Sequence, residues 1–283
     1  MQNYMKAYLN LFPGGKPKAL TFSYDDGVLQ DRRLVALFNK YGLKSTFHLN
    51  SGRTTGVGKD EIASLYAGHE VSLHSVSHPT LAFVPRHVMF NEVWEDRRNL
   101  EAIVGYPVTG MSYPNGATSA EVVEALRACG VVYSRTTVST QHFDFPDDFL
   151  LWHPTCHHRE APGLLETFKA FNRKDRPAMF YVWGHSYEFD RNLPDNNWEM
   201  MEQFCAAVAH DDTVWYATNI ELYRYRQAMG RFATGVAIVT SSYRGHDVAL
   251  TVDSLTSVSL DPVLLLVSLH AEARVLEGVE EGA

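Results

Sequence analysis

Residues 18–50, "KALTFSYDDGVLQDRRLVALFNKYGLKSTFHLN", decide the fold, because they hold two β-type runs with one helical segment between them. The runs "KALTFSY" and "STFHLN" are rich in apolar, β-branched and aromatic residues, which indicates strands. Between them apolar residues recur at helical spacing, and Gly42 lies where such a helix would end. A strand, a helix and a second strand in this order favour a parallel sheet with helices outside it. The helical positions are Leu34, Leu37, Phe38 and Tyr41.

The same alternation continues to about residue 225. Further β-type runs are "EVSL", "VTGMSY", "VVYS", "AMFYVW" and "TVWYA", whereas "DEIASLYAG", "TSAEVVEALRACG" and "NNWEMMEQFCAAVAH" are typical of helices. After Arg226 helical spacing becomes scarce, and the short β-type runs "GVAIVTSS", "DVALTV" and "VLLLVSL" follow one another. The sequence therefore predicts an α/β domain over residues 1–225 and a short β-rich segment over residues 226–283.

The composition is that of a globular protein with a large core, since 45% of its 283 residues are hydrophobic. The formal net charge of -8 argues against a general nucleic-acid binder, which needs basic surface, and it also disfavours an acidic polymer as substrate. No apolar run is long enough to span a bilayer, so no membrane partner is expected. Three widely spaced cysteines and the lack of a signal-peptide pattern favour the cytoplasm. An oligomer is compatible with this composition.

Four groups of polar residues directly follow four of the predicted strands. Asp25 and Asp26 follow "TFSY", His74 and His78 follow "EVSL", the tripeptide "PNG" follows "GMSY", and His185 follows "FYVWG". In a βα barrel the carboxyl ends of the strands form one rim, so residues that are distant in the sequence converge there. We therefore expect these groups to meet in one site.

The stretch "LHSVSHPTL" places two histidines four residues apart. If this loop makes a single helical turn, both imidazoles can point at one ion, and neutral imidazole is a good ligand for zinc-like metals. The alternative is that His74 and His78 are ordinary surface or turn histidines, because the chain has 13 histidines.

The adjacent carboxylates Asp25 and Asp26 could supply the third ligand and the general base that a two-histidine metal site still needs. One carboxylate can be the third ligand, and the other can act as general base on a water whose pKa the cation lowers. The alternative is an Asp-Asp-Gly turn in which aspartate caps a helix.

His185 and the stretch "HPTCHHRE" complete the candidates. The pKa of a histidine lies near 6.5, so His185 could donate a proton to a leaving group, although a lone histidine is also compatible with a structural role. Consecutive Cys-His-His residues rarely point the same way, so we do not expect a second metal site in "HPTCHHRE". We expect a loop on the substrate side, in which Trp152 offers a flat face to a sugar ring and His157 reaches inward.

The motifs "TFSYDDG", "HEVSLHSVSHPTL", "GMSYPNG" and "FYVWGHSYEF", in this order, resemble those of the polysaccharide deacetylases, the carbohydrate esterases of family 4. The likeness covers about residues 15–225 and includes the chitin and peptidoglycan deacetylases. It implies an α/β fold, a distorted (β/α) barrel with fewer than eight full strands. It also implies a divalent metal, with zinc favoured and cobalt, nickel or manganese compatible, and a carbohydrate substrate.

The resemblance also assigns roles to the candidate residues. It implies that Asp25 is the catalytic base, that Asp26, His74 and His78 are the metal ligands, and that His185 is the catalytic acid. In the third motif Ser112 stands where the family usually has an arginine that holds the base, so the partner of Asp25 is left open. The residues that the resemblance and the loop interpretation place on the substrate side are Tyr113, Pro114, Asn115, Trp152, His157 and Trp183.

The tail resembles a second family. "RYRQAMGRFATGVAIVT" and "LTVDSLTSVSLDPVLLLVSL" resemble the N-terminal part of the flavin reductase-like split barrels that bind FMN. Residues 226–283 cover less than half of such a domain, so an FMN site would be incomplete here. The candidates for contact with the FMN phosphate are Thr251, Ser254, Thr256 and Ser257.

Together these features predict metal-dependent hydrolysis of N- or O-acetyl groups from a carbohydrate. Three alternatives stay open. The first is a metal-dependent amidohydrolase that acts on a small non-glycan amide, since the usual arginine is missing. The others are a non-catalytic glycan-binding barrel and a flavoprotein that is defined by the tail.

Overall fold

A computed structural model describes residues 11–53, 55–171, 177–232, 237–243, 246–252, 255–260 and 263–267. The chain divides into two compact units. One unit is Lys16–Tyr223, and the other combines Met1–Gly15 with Arg224–Ala283. Among the residues that the structure describes, no helix is both long enough and apolar enough to cross a bilayer.

The larger unit is built on a sheet whose strands pair in parallel, in the order β5-β4-β3-β2-β1-β7-β6, with β8 paired to β1. The predicted α/β fold is therefore confirmed. The strands are β1 (Lys18–Asp25), β2 (Ser45–Leu49), β3 (Glu70–Leu73), β4 (Gly110–Ser112), β5 (Tyr133–Arg135), β6 (Cys156–His157), β7 (Ala178–Gly184) and β8 (Val214–Tyr216).

The strand β1 is the centre of this sheet, and every one of its residues is buried. One edge pairs with β7 over residues 18–24. Residues 18–20 pair with β8, and residues 22–25 pair with β2. Since a strand has only two edges, β8 and β2 share the second edge, which distorts the barrel around β1.

The two ends of the sheet meet at a short seam. Arg135, the last residue of β5, forms an isolated parallel bridge with Trp152, which precedes β6. The Trp152 N–H donates to the Ser134 carbonyl at 3.0 Å, and the Thr136 N–H donates to the Trp152 carbonyl at 3.0 Å. The sheet thus curves into a distorted barrel, as the resemblance implied.

Seven helices lie within the described residues, and the first six contribute buried side chains to the hydrophobic core that the strands share. In α1 Leu34 and Phe38 are fully buried, and the Phe38 ring lies 4.7 Å from that of Phe22 in β1. Ser119 caps α4 and Asn197 caps α6, each accepting a bond from a backbone N–H three residues on. The helices are α1 (Asp31–Lys40), α2 (Ile62–Leu65), α3 (Arg86–Val104), α4 (Ala120–Ala128), α5 (Ala161–Ala170), α6 (Trp198–Val208) and α7 (Asn219–Phe232).

Three local predictions differ from the structure. The segment "DEIASLYAG" forms only the single turn of α2, and α5 lies in a stretch where the sequence pattern gave no clear helix. The strand predicted as "VVYS" begins two residues later and ends on Arg135. This shift matters, because it places an arginine at the carboxyl end of β5.

The C-terminal part of the chain is β-rich, as predicted. The strands β9 (Ala237–Tyr243) and β10 (His246–Val252) form one antiparallel pair. The strands β11 (Leu255–Leu260) and β12 (Val263–Val267) form another antiparallel pair.

Candidate active site

The structure brings the aspartates that end β1 and the histidines that follow β3 into one cluster. Oδ1 of Asp26 lies 3.6 Å from Nε2 of His78 and 3.9 Å from Nε2 of His74. Oδ2 of Asp25 also lies 3.9 Å from Nε2 of His74. Ligands about 2.1 Å from a tetrahedral ion are about 3.4 Å apart, so the distances within Asp26, His74 and His78 suit one metal ion.

Unusual backbone conformations occur at three positions of this cluster and of the loop that carries its histidines. Asp26, Ser75 and His78 all have left-handed φ angles, of 84°, 65° and 62°. Such angles cost about 1–3 kcal/mol at a residue other than glycine and persist only where the surrounding structure imposes them. The loop between His74 and His78 makes no helical turn. The His78 N–H instead donates to Oγ of Ser75 at 3.1 Å, and the two imidazole rings still meet, 4.7 Å apart.

The imidazole of His74 is neutral, and its hydrogen bonds fix which nitrogen carries the proton. Its Nδ1 lies 3.0 Å from the Ser112 carbonyl oxygen and 2.7 Å from Ser112 Oγ, so Nδ1 carries the proton and donates it. Burial lowers the pKa of His74 to about 4, which keeps the ring neutral at pH 7. Its Nε2 is buried and has no hydrogen-bond partner among the described residues. An orphaned imidazole lone pair beside a carboxylate and a second histidine fits a divalent metal.

Asp25 is held from two sides. Ser112 Oγ donates to its Oδ1 at 3.0 Å, and the guanidinium of Arg135 donates to its Oδ2. Burial alone would raise the pKa of Asp25, but the charges of Arg135 and then His74 hold it well below its ordinary value. Asp25 is therefore an ionised carboxylate at the floor of the site.

Arg135 is the partner of Asp25 that sequence reasoning missed. The side chain is fully buried, Nε donates to Ser23 Oγ at 3.0 Å, and the guanidinium carbon lies 4.4 Å from the centre of the Trp183 ring. The third motif offers only Ser112, whereas this arginine comes from the next strand, β5. The sequence held one indication of this role, because Arg135 is a charged residue directly after the predicted strand "VVYS".

Asp96 is a second residue that the motifs did not indicate. It is fully buried in α3, where its carboxylate accepts the N–H of His74 at 3.0 Å and the N–H of Ser51 at 2.8 Å. Burial raises the pKa of Asp96 to about 7. Asp96 thus ties the loop after β2 to the loop that carries the metal-type histidines.

A second polar cluster surrounds His185. Glu188 Oε1 accepts from Nδ1 of His185 at 2.9 Å, and Glu188 Oε2 lies 3.0 Å from Nε2 of His157 and 3.3 Å from Nε2 of His158. Burial would raise the pKa of Glu188, but its bonds to the three histidines lower it strongly. Burial would also lower the pKa of His185, and the bond to Glu188 with the charge of Asp25 outweighs this and raises it. Glu188 was not singled out from the sequence, although it stands three residues after His185.

Both clusters have the composition of a metal site. Ligand atoms of His157, His185 and Glu188 lie within 4.8 Å of one another, as do those of Asp26, His74 and His78. The nitrogens of the His185 cluster, however, already face oxygens of Glu188 at hydrogen-bond distance. We therefore assign the metal-type site to the cluster with the orphaned nitrogen of His74.

Two of the residues expected on the substrate side lie in the core instead. Trp152 is fully buried against the rings of Tyr133 and Tyr181, so it has no face to offer a sugar. Tyr113 is buried as well, and its hydroxyl donates to the Leu150 carbonyl at 2.6 Å. In both cases an aromatic residue beside a strand fills the barrel interior instead of its rim.

The other four substrate-side candidates lie at or beneath the rim. Asn115 is exposed, and its amide donates to Thr80 Oγ1 at 2.9 Å, while Pro114 beside it is buried. Trp183 is 9% exposed, and its ring lies 5.1 Å from that of His157 and 5.7 Å from that of His185. His157 is half-buried beside Glu188.

The FMN candidates lie in the C-terminal segment. Thr251 belongs to β10, and Thr256 and Ser257 belong to β11. Ser254 lies outside the described residues, and so do the side chains of the other three. The structure therefore does not test the expected FMN contacts.

Comparison with known proteins separates the same two regions. The polysaccharide deacetylase family model matches residues 13–134, and the model of the flavin reductase like domain matches residues 229–282. The tail is 48% identical over 56 residues to the NADH-dependent FMN reductase AsuE2 of Streptomyces nodosus subsp. asukaensis, which is 20% of this chain and 30% of that protein. It is 51% identical over 55 residues to a probable flavin reductase of Rhizobium meliloti (strain 1021), which is 19% of this chain and 18% of that protein. The chain thus spans less than a third of these relatives.

Solved structures share the fold of the larger unit. A Mycobacterium smegmatis protein assigned as a polysaccharide deacetylase aligns with a TM-score of 0.59 and 18% identity, over 77% of this chain and 93% of that one. The Xyl-CE4 domain of a multidomain xylanase from the hindgut metagenome of Trinervitermes trinervoides aligns with a TM-score of 0.53 and 13% identity, over 75% of this chain and 92% of that one.

Proposed function

We propose that this chain, whose residues 13–134 match the polysaccharide deacetylase family model, hydrolyses N- or O-acetyl groups on a carbohydrate with the help of a divalent metal. One observation carries the proposal. The buried, unprotonated Nε2 of His74, which lacks a partner within the described part of the chain, lies 3.9 Å from the carboxylates of both Asp25 and Asp26. A ligand position and a base position thus adjoin one another.

Asp26, His74 and His78 would hold the metal. Two imidazole nitrogens and a carboxylate oxygen match the donor set of hydrolytic zinc sites, and Co²⁺, Ni²⁺ and Mn²⁺ are compatible with it. A divalent ion bound there would polarise the acetyl carbonyl and lower the pKa of a water molecule.

Asp25 is the general base in this proposal. It takes a proton from the attacking water on a carboxylate oxygen, because each of its oxygens keeps a lone pair beyond the bond to Ser112 or Arg135. The two donors fix the orientation of the carboxylate, and Arg135 keeps it ionised. Arg135 and Ser112 are thus positioning residues.

His185 is the general acid. Its Nδ1 is engaged by Glu188, so Nε2 is the atom that delivers a proton to the departing amine or hydroxyl. The raised pKa of His185 keeps this proton in place near neutral pH. A backbone N–H near Asn115 would donate to the carbonyl oxygen as negative charge develops on it.

Acetate release from acetylated chitooligosaccharides and from acetylated xylan tests the proposal. We expect release that a chelator abolishes and that one equivalent of Zn²⁺ restores, with a loss of at least a hundredfold in Asp25→Asn. Asp212→Asn, which removes an exposed carboxylate, is the matched control. Release that persists at full rate after metal removal and in Asp25→Asn contradicts the proposal.

A small non-glycan amide was considered as substrate because the third motif lacks the usual arginine. That reason no longer applies, since Arg135 supplies a guanidinium to Asp25 from another strand. A panel of acetylated glycans and small acetamides separates the two functions. FMN binding remains a proposal for the tail, and visible flavin absorbance of the purified full chain tests it.

A further inference from the structure

A buried histidine in β2 is linked to Arg135, the partner of the proposed base, through the side chain of one serine. We propose that His48 is a positioning residue for the hydrolysis: through Ser23 it fixes the direction of the Arg135 guanidinium. This inference rests on the proposed function and deepens it. Neither His48 nor Ser23 was among the candidate residues that the sequence indicated.

Strand pairing brings His48 next to the two aspartates. Ser23 and Asp25 are two residues apart in β1, so their side chains point to the same face of the sheet. Asp25 is the register partner of His48 in β2, and the His48 carbonyl accepts the N–H of Asp26 at 2.9 Å. The backbone of His48 therefore holds the aspartate loop, while its side chain bonds to Ser23 beside Asp25.

The hydrogen bonds of the His48 ring have a fixed direction. Nδ1 lies 3.3 Å from the Leu73 carbonyl oxygen, which can only accept, so Nδ1 carries a proton. The ring is fully buried, and burial lowers the pKa of His48 to about 3, so the imidazole is neutral. Nε2 is then an acceptor. Ser23 Oγ lies 2.9 Å from Nε2 and must donate its proton to it.

The single hydroxyl proton of Ser23 is thus used by His48. Only lone pairs remain on Ser23 Oγ, and one of them accepts the Nε–H of Arg135 at 3.0 Å. The other lone pair suits Tyr181, which also bonds to Ser23 and whose own oxygen accepts from Asn219 at 2.5 Å. Because His48 takes the proton, Ser23 presents an acceptor to the guanidinium instead of a second donor.

Three nitrogens of Arg135 are held by three different groups. Nε donates to Ser23, Nη1 donates to the Thr136 carbonyl at 3.0 Å, and Nη2 donates to Asp25. Since the guanidinium is planar, a bond at Nε sets the direction of both Nη atoms. Ser23, His48 and Arg135 are all fully buried, so solvent does not replace these bonds. The direction of Nη2 toward the base therefore depends on Ser23 and, through it, on His48.

Kinetics of acetate release by the zinc-loaded full chain test the proposal, with acetylated chitooligosaccharides as substrate. Ser23→Ala removes a hydrogen bond to a charged group, so we expect kcat to fall about tenfold, with KM changed less than threefold. His48→Phe keeps a ring but cannot accept the Ser23 proton, and kcat should fall about fivefold. His48→Gln keeps an acceptor for Ser23 and should stay within about twofold of the wild type.

A double variant separates positioning from packing. Because His48 acts through Ser23, His48→Phe should lower kcat less than about twofold further in a Ser23→Ala background. Ser72→Ala is the matched control, since it removes another fully buried hydroxyl, which lies 3.2 Å from that of Tyr133, and should leave kcat unchanged. Independent losses from the two substitutions, or a kcat in His48→Gln as low as in His48→Phe, would overturn the proposal.

Nitrogen-15 NMR of the histidine rings gives a readout that needs no turnover. We expect wild-type His48 to be neutral with its proton on Nδ1, and Ser23→Ala should shift mainly its Nε2 resonance. The signals that are missing in His48→Gln assign the ring. A proton on Nε2 reverses the direction of the bonds and overturns the proposal, whatever the activity of the variants.

The two kinds of failure are distinguishable. A wild type that releases no acetate overturns the proposed function, and the tautomer of His48 still decides the direction of the bonds that reach Arg135. Urea denaturation shows whether each variant is folded. Should His48→Phe fail to fold, the kcat of Ser23→Ala and the tautomer of His48 decide the proposal.

Discussion

Arg135 donates a hydrogen bond to the carboxylate of Asp25 from a strand four places away in the sheet. The contact between β5 and β1 therefore crosses the interior of the barrel instead of running along one edge. Both side chains are buried, at 0% and 3% exposure, so neither charge has water as a substitute partner. The base of the proposed reaction thus depends on a long-range contact.

Arg135 should affect kcat more than KM. Arg135→Lys keeps a positive charge but loses the planar fork, so we expect kcat for acetate release to fall at least tenfold with KM changed less than threefold. Arg135→Met leaves the Asp25 charge unpaired and should lower the free energy of unfolding by about 3–5 kcal/mol. Urea denaturation measures this loss, and the exposed Arg98→Met is the control. Wild-type kcat in Arg135→Lys contradicts the positioning role.

Glu188 should set the alkaline limit of activity. The bond to Glu188 raises the pKa of His185, and a general acid works only while it is protonated. Glu188→Gln removes that charge, so the pKa of His185 falls and the alkaline limb of the kcat/KM profile moves to lower pH. A pH series of acetate release measures the shift, with the exposed Glu124→Gln as control. If the alkaline limb of the kcat/KM profile does not move in Glu188→Gln, His185 is not the general acid.

His158 should make the protein sensitive to acid. Burial lowers its pKa to about 4 from an ordinary value of 6.5, so the folded state holds it neutral while the unfolded state takes up a proton. The stability that this provides is complete above about pH 6.5 and is lost as the pH falls toward 4, by about 3 kcal/mol. Denaturation of wild type and His158→Gln at pH 7.5 and 4.5 measures the difference. If both proteins lose equal stability between these values, His158 is not the cause.

Gly184 ends β7 under the ring of His158. A Cβ at this position would lie 2.0 Å from Nδ1 of His158, which has no room to move because its ring stacks on Phe189 at 4.4 Å. Gly184→Ala should therefore lower the free energy of unfolding by about 1–3 kcal/mol. Gly163→Ala, in α5 with open space around it, is a matched control that should not destabilise. Thermal unfolding of the two variants measures the contrast, and equal melting temperatures would refute the predicted clash.

The sequence predicted the parts of the site that local pattern encodes. Asp25, His74 and His185 each follow a β-type run, and the convergence of strand ends brings them together. Arg135 and Asp96 could not be predicted in the same way. Arg135 pairs with Asp25 across the barrel, and Asp96 lies on a helix and accepts the backbone N–H of His74 from a loop far from it in the sequence. Trp152 shows the opposite error, since an aromatic residue beside polar neighbours can fill the core as readily as it can line a cleft.

The seam between β5 and the segment before β6 links closure of the barrel to the orientation of the Asp25 carboxylate. The backbone of Arg135 forms the bridge to Trp152, and the side chain of the same residue holds Asp25. An opening of this bridge that displaces Arg135 therefore releases the carboxylate as well. The exchange rate of the Trp152 and Thr136 amide protons with solvent then sets an upper limit on how often the resting protein loses an oriented base by this route.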